Sequence, residues 1–326
     1  MIKFSIAIEM DNLMQQDKYE FHVNKMFDQN FLSGLCASET IQNWFLTSLD
    51  KLSDAAEGEK DFANLSERLL FEKKKDFLIW DDLLKCAEMS FFADQLPIYG
   101  PSIDFCCGYA FWTSRIFGKI DLGIDLFSDS GSYNRSIQGF VEKNFIDNAY
   151  RSVLRANVAG FLPLPSNSFQ TIVSVCALEH IDRVDLVLGN MFRLLKPNGK
   201  LLVSLQTDKQ MKKFEEIFHP SYMQQFRDMY SMHVDRSWQT WQELIEQAGF
   251  KILDTRFAFS QEDTESYALL SWNNHANPLF KQLSLPTLIN TVPELRRHYF
   301  EQVRSWGKTP VSADEASLVC FVCTKK

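Results

Sequence analysis

The spacing of apolar and polar positions changes once, near residue 100. Up to about residue 96 apolar side chains recur every three or four positions. "SETIQNWFLTSLDKL" and "DFANLSERLLFEKKKDFLIWDDLLKCAEMSFFADQL" are examples, and the spacing predicts helices. Ser38 and Asp61 are placed to cap two of them. Pro97, Gly100 and Pro101 then interrupt the pattern. From residue 102 short apolar runs alternate with amphipathic stretches. "SIDFC", "KIDLGID", a weaker run before Val158, "FQTIVSVCA", "KLLVSLQ", "KILDTRFAF" and "SLVCFVC" read as strands. "YAFWTSRIF" ahead of Gly118, a segment within 141–158, "VDLVLGNMFRLL" and "SWQTWQELIEQAGF" read as helices, and Lys196–Gly199 reads as a turn.

Strand and helix in alternation require crossover connections, and so predict an α/β fold with a doubly wound, mostly parallel, Rossmann-like sheet of seven strands. The expected organisation is a helical N-terminal region over 1–96 and an α/β domain over 97–326. Two helical segments, at about 208–236 and 260–314, exceed what a minimal sheet needs. Both follow the C-terminal ends of strands, the edge where open α/β sheets bind ligands. They are therefore expected to act as helical lids. Their aromatic and Met residues, Phe214, Phe218, Tyr222, Met223, Phe226, Met229, Tyr230 and Met232, fit an apolar lid and ordinary helix packing equally well.

Composition narrows the function. The net charge is −8, and the basic runs Lys73–Lys75 and Arg296–His298 are short and flanked by acids. A nucleic-acid surface needs clustered positive charge, so no nucleic-acid partner is expected. The N-terminal stretch lacks the apolar run of a signal peptide, and no stretch approaches 18 consecutive apolar residues. A cytoplasmic protein without integral membrane association is expected. Seven cysteines form no disulfide framework in such a chain. Cys320 and Cys323 lie on a strand, where positions three apart face opposite ways, so no metal site is expected there.

The most informative stretch is "SIDFCCGYAFWTSRIFGKIDLGIDLF", residues 102–127. A strand-to-helix turn that cradles a nucleotide needs backbone able to approach the ligand, and Gly108 supplies it between the small residues Cys106 and Ala110. Asp104, at the strand end, would repel a phosphate but suits a ligand with a cationic end. Asp125 ends the second strand 17 residues after Gly108, close to the ~20 expected for an acid that accepts from both ribose hydroxyls.

Four motifs in order then carry a resemblance. Residues 103–110, "IDFCCGYA", are similar to the first motif of the class I S-adenosylmethionine-dependent methyltransferases, in their small-molecule branch. "GIDLF" resembles that family's second motif, "FLPLPSNSFQTIVSVCALEHI" its fourth-strand entry, and "MFRLLKPNGKLLVS" its Arg-x-Leu-Lys-Pro-Gly-Gly run. The departures are Cys106 and Ala110 for two glycines, Asn157 or Val158 where an acid usually receives the adenine amine, and Gln170 for an Asp. The resemblance implies S-adenosylmethionine as cofactor, with contacts from Asp104, Phe105, Cys106, Gly108, Asp125, Leu126, Asn157, Val158 and Cys176. Asn157 could meet adenine through its amide oxygen.

Methyl transfer is an in-line displacement that needs alignment and exclusion of water, and a base only where the nucleophile must lose a proton. Glu179 and His180 are the candidates for that role, with His233 and Tyr222 further off. Trp112, Trp238 and Trp241 are expected to pack rather than stack on a substrate. The expected partner is a small methyl acceptor, apolar in character: a metabolite, a glycolipid or a natural-product intermediate. Two other functions stay open. One is a non-catalytic or repurposed S-adenosylmethionine-binding protein; the other, disfavoured by Asp104 and the single turn glycine, is a nicotinamide-dependent oxidoreductase.

Overall fold

The computed structural model describes Leu84, Ala87, Glu88, Phe91, Phe92, residues 94–108, Thr113, and residues 117–126, 150–218, 220–230, 232, 234–265, 267–268 and 310–325. The helices expected before residue 84, most of those over 109–117 and 141–149, and residues 269–309 of the second insertion lie outside them. So do Ser38, Asp61, Trp112 and His233, and the side chains of Tyr222, Met229 and Tyr230. The chain divides into two compact units. One comprises Met1–Ala87, Lys212–Met223 and Gln261–Thr309; the other comprises Glu88–Met211, Gln224–Ser260 and Pro310–Lys326.

The second unit holds a seven-stranded sheet: β1 Ser102–Phe105, β2 Ile120–Asp125, β3 Tyr150–Arg155, β4 Phe169–Val175, β5 Leu195–Gln206, β6 Phe250–Ala258 and β7 Leu318–Lys325. The order is β3-β2-β1-β4-β5-β7-β6. The first five strands run parallel, and β7 lies antiparallel between β5 and β6. This is the doubly wound, mostly parallel sheet that the alternating pattern predicts. Strand order reverses between β1 and β4, and a crevice opens beyond the strand ends at such a switch point.

Burial explains the strand sequences. The central β1 is buried at every position, its polar Ser102 and Asp104 included, whereas edge strand β3 carries exposed Arg151, Ser152 and Arg155. Helices α1 Val184–Leu194 and α4 Trp238–Gln247 cover the sheet. They send Val187, Leu188, Met191, Trp241 and Ile245 onto Ile103, Phe105, Ile124, Ile172, Leu201, Val203 and Phe321. The Ser237 side chain caps α4 by accepting from the Thr240 N–H at 3.2 Å.

Polar side chains fasten the strand ends. Asp121 of β2 accepts from the Ser102 N–H at 2.8 Å and from its hydroxyl at 3.1 Å, fixing the start of β1. On α1, Arg193 donates to the carbonyls of Leu164 at 2.6 Å and Leu162 at 3.0 Å. Asn190 donates to those of Val158 at 2.9 Å and Gly160 at 2.8 Å. The Arg of the fourth motif therefore holds the loop that leads into β4.

One expectation changes here. Lys196–Gly199 is not a turn ahead of the fifth strand but an irregular start of β5. Leu195 pairs with Phe169 and Lys200 with Thr171, so one strand carries extra residues between two matched pairs. Asn198 takes a left-handed φ of 62° to make the bulge. A Cβ on Gly199 would lie 2.8 Å from Leu195 Cδ1 and 3.0 Å from the Gln170 carbonyl, so a larger residue there would have to displace the Leu195 side chain. Turn residues chosen for a bulge look the same in sequence as those of a loop.

Segment 208–236 is helical as expected, with α2 Asp208–Ile217 and α3 Pro220–Tyr230. In the first unit, Phe214 meets the Tyr267 ring at 5.9 Å and the Phe218 ring at 5.8 Å, and Lys213 pairs with Glu265 at 3.3 Å. Phe214, Phe218 and Met223 are buried. These apolar side chains are packed rather than open.

Candidate active site

At the end of β1 the chain turns through Cys106, with φ of 60°, and Gly108, with φ of 51°. The left-handed conformation is cheap for glycine and strained for cysteine. Cys107 donates its N–H to the Ile124 carbonyl at 3.0 Å. Gly108 donates its N–H to the Asp125 carboxylate at 2.9 Å. The turn is thus tied to the end of β2, and the sequence-predicted pair of Gly108 and Asp125 is brought together.

Asp104 is 1% exposed and lies under this turn. Burial pushes its carboxyl up to about 7, hydrogen bonds from Tyr150 and Thr113 pull the other way, and the Asp125 charge adds to the rise. The Tyr150 hydroxyl donates to Asp104 Oδ2 at 2.6 Å. Tyr150 begins β3 and must cross β2 to reach β1. Gly123 of β2 lets it pass, since a Cβ there would lie 3.2 Å from the Tyr150 ring and 3.0 Å from Cys107 Sγ. Tyr150 is absent from the sequence-predicted site. The trace it leaves is the glycine inside strand "IDLGID", a mark of close approach by another group.

The second cluster gathers at the ends of β4 and β5. Cys176 follows β4 with φ of 47°, and its N–H donates to Ser204 Oγ at 3.1 Å. The Ser204 hydroxyl donates in turn to fully buried Glu88 at 2.7 Å. Gln206 Nε2 meets Cys176 Sγ at 3.3 Å. A short 3₁₀ turn, Leu178–His180, follows; it turns Glu179 inward and leaves His180 half-buried. Arg236, ahead of α4, donates through Nη2 to the carbonyls of Ile181 and Asp182, each at 3.3 Å. Its guanidinium lies 4.9 Å from the Trp241 ring centre, and Trp241 Nε1 donates to the Gln206 carbonyl at 2.9 Å. Glu88, Gln206 and Arg236 stand in no recognisable motif, and Ser204 only closes the run "MFRLLKPNGKLLVS", so the sequence gives no signal that they meet.

The remaining sequence-predicted residues divide by exposure. Leu126 is 53% exposed. Asn157 is exposed, and its amide oxygen accepts from the Ala159 N–H at 3.0 Å, forming a small turn. Phe105 and Val158 are buried in the core, so their side chains pack rather than face a ligand. Trp241 and Trp238 pack, the latter edge-on to Phe257 at 5.3 Å. Among the described residues no group of His, Cys, Asp and Glu is placed to hold a metal ion, and no helix is long and apolar enough to cross a membrane.

A parallel sheet with this strand order, a glycine turn after β1 and an acid ending β2 define a Rossmann-like nucleoside-binding unit. Residues 103–203 match the family model described as a methyltransferase domain. The chain carries a class I S-adenosylmethionine-dependent methyltransferase domain, and S-adenosylmethionine is the cofactor of that class. Over 120 residues it is 28% identical to a ubiquinone/menaquinone biosynthesis C-methyltransferase of Saccharophagus degradans. That match spans 37% of this chain and 37% of the relative. A methyltransferase structure from Thermotoga maritima is similar at 18% identity and a TM-score of 0.47, covering 82% of this chain and all (100%) of that one. One from Mesorhizobium loti is similar at 15% identity and a TM-score of 0.42, covering 74% of this chain and all (100%) of that one.

Proposed function

We propose that the whole chain is an enzyme that transfers a methyl group from S-adenosylmethionine to a small acceptor with substantial apolar surface, such as a metabolite, a glycolipid or a natural-product intermediate. The observation that carries this reading is the clasp of the Gly108 amide on the Asp125 carboxylate, beside buried Asp104, at the switch point of a parallel sheet. Two carboxylates at one turn suit a nucleoside with cationic groups and would repel a pyrophosphate.

In this reading Asp104 receives the ammonium end of the cofactor, Asp125 its ribose, and the 157–158 segment its adenine. The cofactor supplies a methyl group on a sulfonium, which an incoming nucleophile can displace. The chain's own task is to hold the acceptor in line and keep water out. Glu179 and His180, on the turn after β4, are this reading's candidates to take a proton where the nucleophile carries one.

Isothermal calorimetry tests the reading. S-adenosylmethionine and its demethylated product should both bind, and NAD should not. No heat at millimolar cofactor, or NAD binding in its place, overturns it.

A further inference from the structure

At the ends of β4 and β5 several buried polar atoms have no hydrogen-bond partner among the described residues. Glu179 is 5% exposed, and both its carboxylate oxygens are buried without a hydrogen-bond partner among the described residues. Arg236 is 8% exposed; Nη2 is satisfied by two carbonyls, while Nη1 has no partner among the described residues. Gln206 uses its amide N–H on Cys176, and its amide oxygen is buried without one. The three belong to one cluster. Arg236 holds the chain at Ile181 and Asp182, next to Glu179, and stacks on the Trp241 ring, whose N–H ends on the Gln206 carbonyl.

Buried polar groups in folded proteins nearly always find partners, and an unsatisfied buried carboxylate is among the costliest exceptions. Here an acid and a guanidinium feel each other's charge: burial pushes Arg236 below its ordinary value, and Asp182 and Glu179 oppose that shift. Yet among the described residues no hydrogen bond or ion pair joins Glu179 to Arg236. Two groups of opposite charge held near each other, each with valences unmet, are complementary to a third group between them.

The chemistry of that third group follows from the valences. Glu179 and Gln206 require donors, and Arg236 Nη1 requires an acceptor. A hydroxyl does both. An ammonium would serve Glu179 but face the guanidinium; a carboxylate would serve Arg236 but face Glu179. We propose that Glu179, Arg236 and Gln206 form a recognition pole for the methyl acceptor, and that the acceptor presents a hydroxyl group to it. The inference rests on the methyltransferase reading and deepens it: the acceptor is an alcohol or phenol with an apolar body.

The test uses the full chain saturated with S-adenosylhomocysteine and three probes of nearly equal shape: benzyl alcohol, benzylamine and toluene, titrated by ligand-observed NMR. Benzyl alcohol should bind about tenfold more tightly than either of the others, the scale of a hydrogen bond to a charged group. In Glu179→Gln that preference should fall several-fold, whereas Glu179→Asp should keep part of it. Glu179→Gln should also melt no lower than the parent, because it removes a buried carboxylate that no described residue satisfies. Equal affinity for the three probes, no detectable binding of any, or a lower melting temperature in Glu179→Gln overturns the inference while leaving the methyltransferase reading in place. Absence of S-adenosylhomocysteine binding overturns both.

Discussion

The two sides of the switch point are built differently. On the β1–β3 side the turn is closed by the protein itself: Cys107 is bonded to Ile124, Gly108 to Asp125, and Asp104 to Tyr150. On the β4–β5 side Glu179, Gln206 and Arg236 keep buried polar atoms unmet. The first is a preorganised cradle, complete before any ligand arrives. The second keeps hydrogen bonding open among the described residues, which the proposed acceptor hydroxyl would fill. A cofactor common to many acceptors suits a prebuilt site, and acceptor selectivity belongs where the protein leaves valences to be filled.

The largest effect that could break this contrast is at Asp104. Its folded-state value of about 7 lies above the ordinary 3.8. A raised carboxyl gives stability that is fully present below the unfolded value and is lost as pH rises through the folded one. The cofactor-free protein should therefore lose stability between about pH 4 and 7, by up to ~4 kcal/mol for a shift of this size. The groups facing Asp104 are Tyr150, Thr113, Asp125 and Cys107, and burial raises both Tyr150 and Cys107, so neither takes over the titration in that window. Asp104→Asn should abolish the loss and be the more stable form at pH 8, since Tyr150 can still donate to the amide oxygen. Urea midpoints from pH 4 to 8 that run parallel in the two proteins would show that Asp104 does not titrate there.

Asp125 sharpens the same contrast with a smaller effect. Asp125→Ala should weaken S-adenosylmethionine by ~1.5–3 kcal/mol, the scale for hydrogen bonds to a charged group. Calorimetry at constant pH reads it. An unchanged dissociation constant would make Asp125 a support for the Gly108 amide and nothing more.

The contrast also marks how far the sequence could be read. The sheet is legible because its inner strands β4, β5 and β7 are largely buried and their apolar runs alternate with amphipathic helices. Gly108 and Asp125 were legible because spacing along one strand–helix–strand unit determines their meeting. Tyr150 was not, because it reaches Asp104 across a neighbouring strand, and only Gly123 hints at the crossing. The Glu88–Ser204–Cys176 chain and the Glu179–Gln206–Arg236 cluster join positions far apart in sequence, and pairing of that kind leaves no local periodicity. The bulge at 196–199 was misread for a related reason: turn chemistry does not say whether the flanking strands stay paired.

The smallest effect expected is at Cys106. In the resembling family glycine stands here, and the backbone at Cys106 has a φ of 60°, a region where a side chain costs about 1–2 kcal/mol relative to glycine. Against that, glycine gains chain entropy in the unfolded state, which costs about 0.5–1 kcal/mol. The net for Cys106→Gly should be a stabilisation of ~1 kcal/mol or less, read as a small rise in the urea midpoint. Cofactor affinity should stay within about threefold, because the proposed reading gives the cofactor to the two carboxylates and not to the Cys106 thiol. A clear loss of stability would mean that the thiol's own contacts at this half-buried position outweigh the strain, and a large loss of affinity would place Cys106 itself against the cofactor.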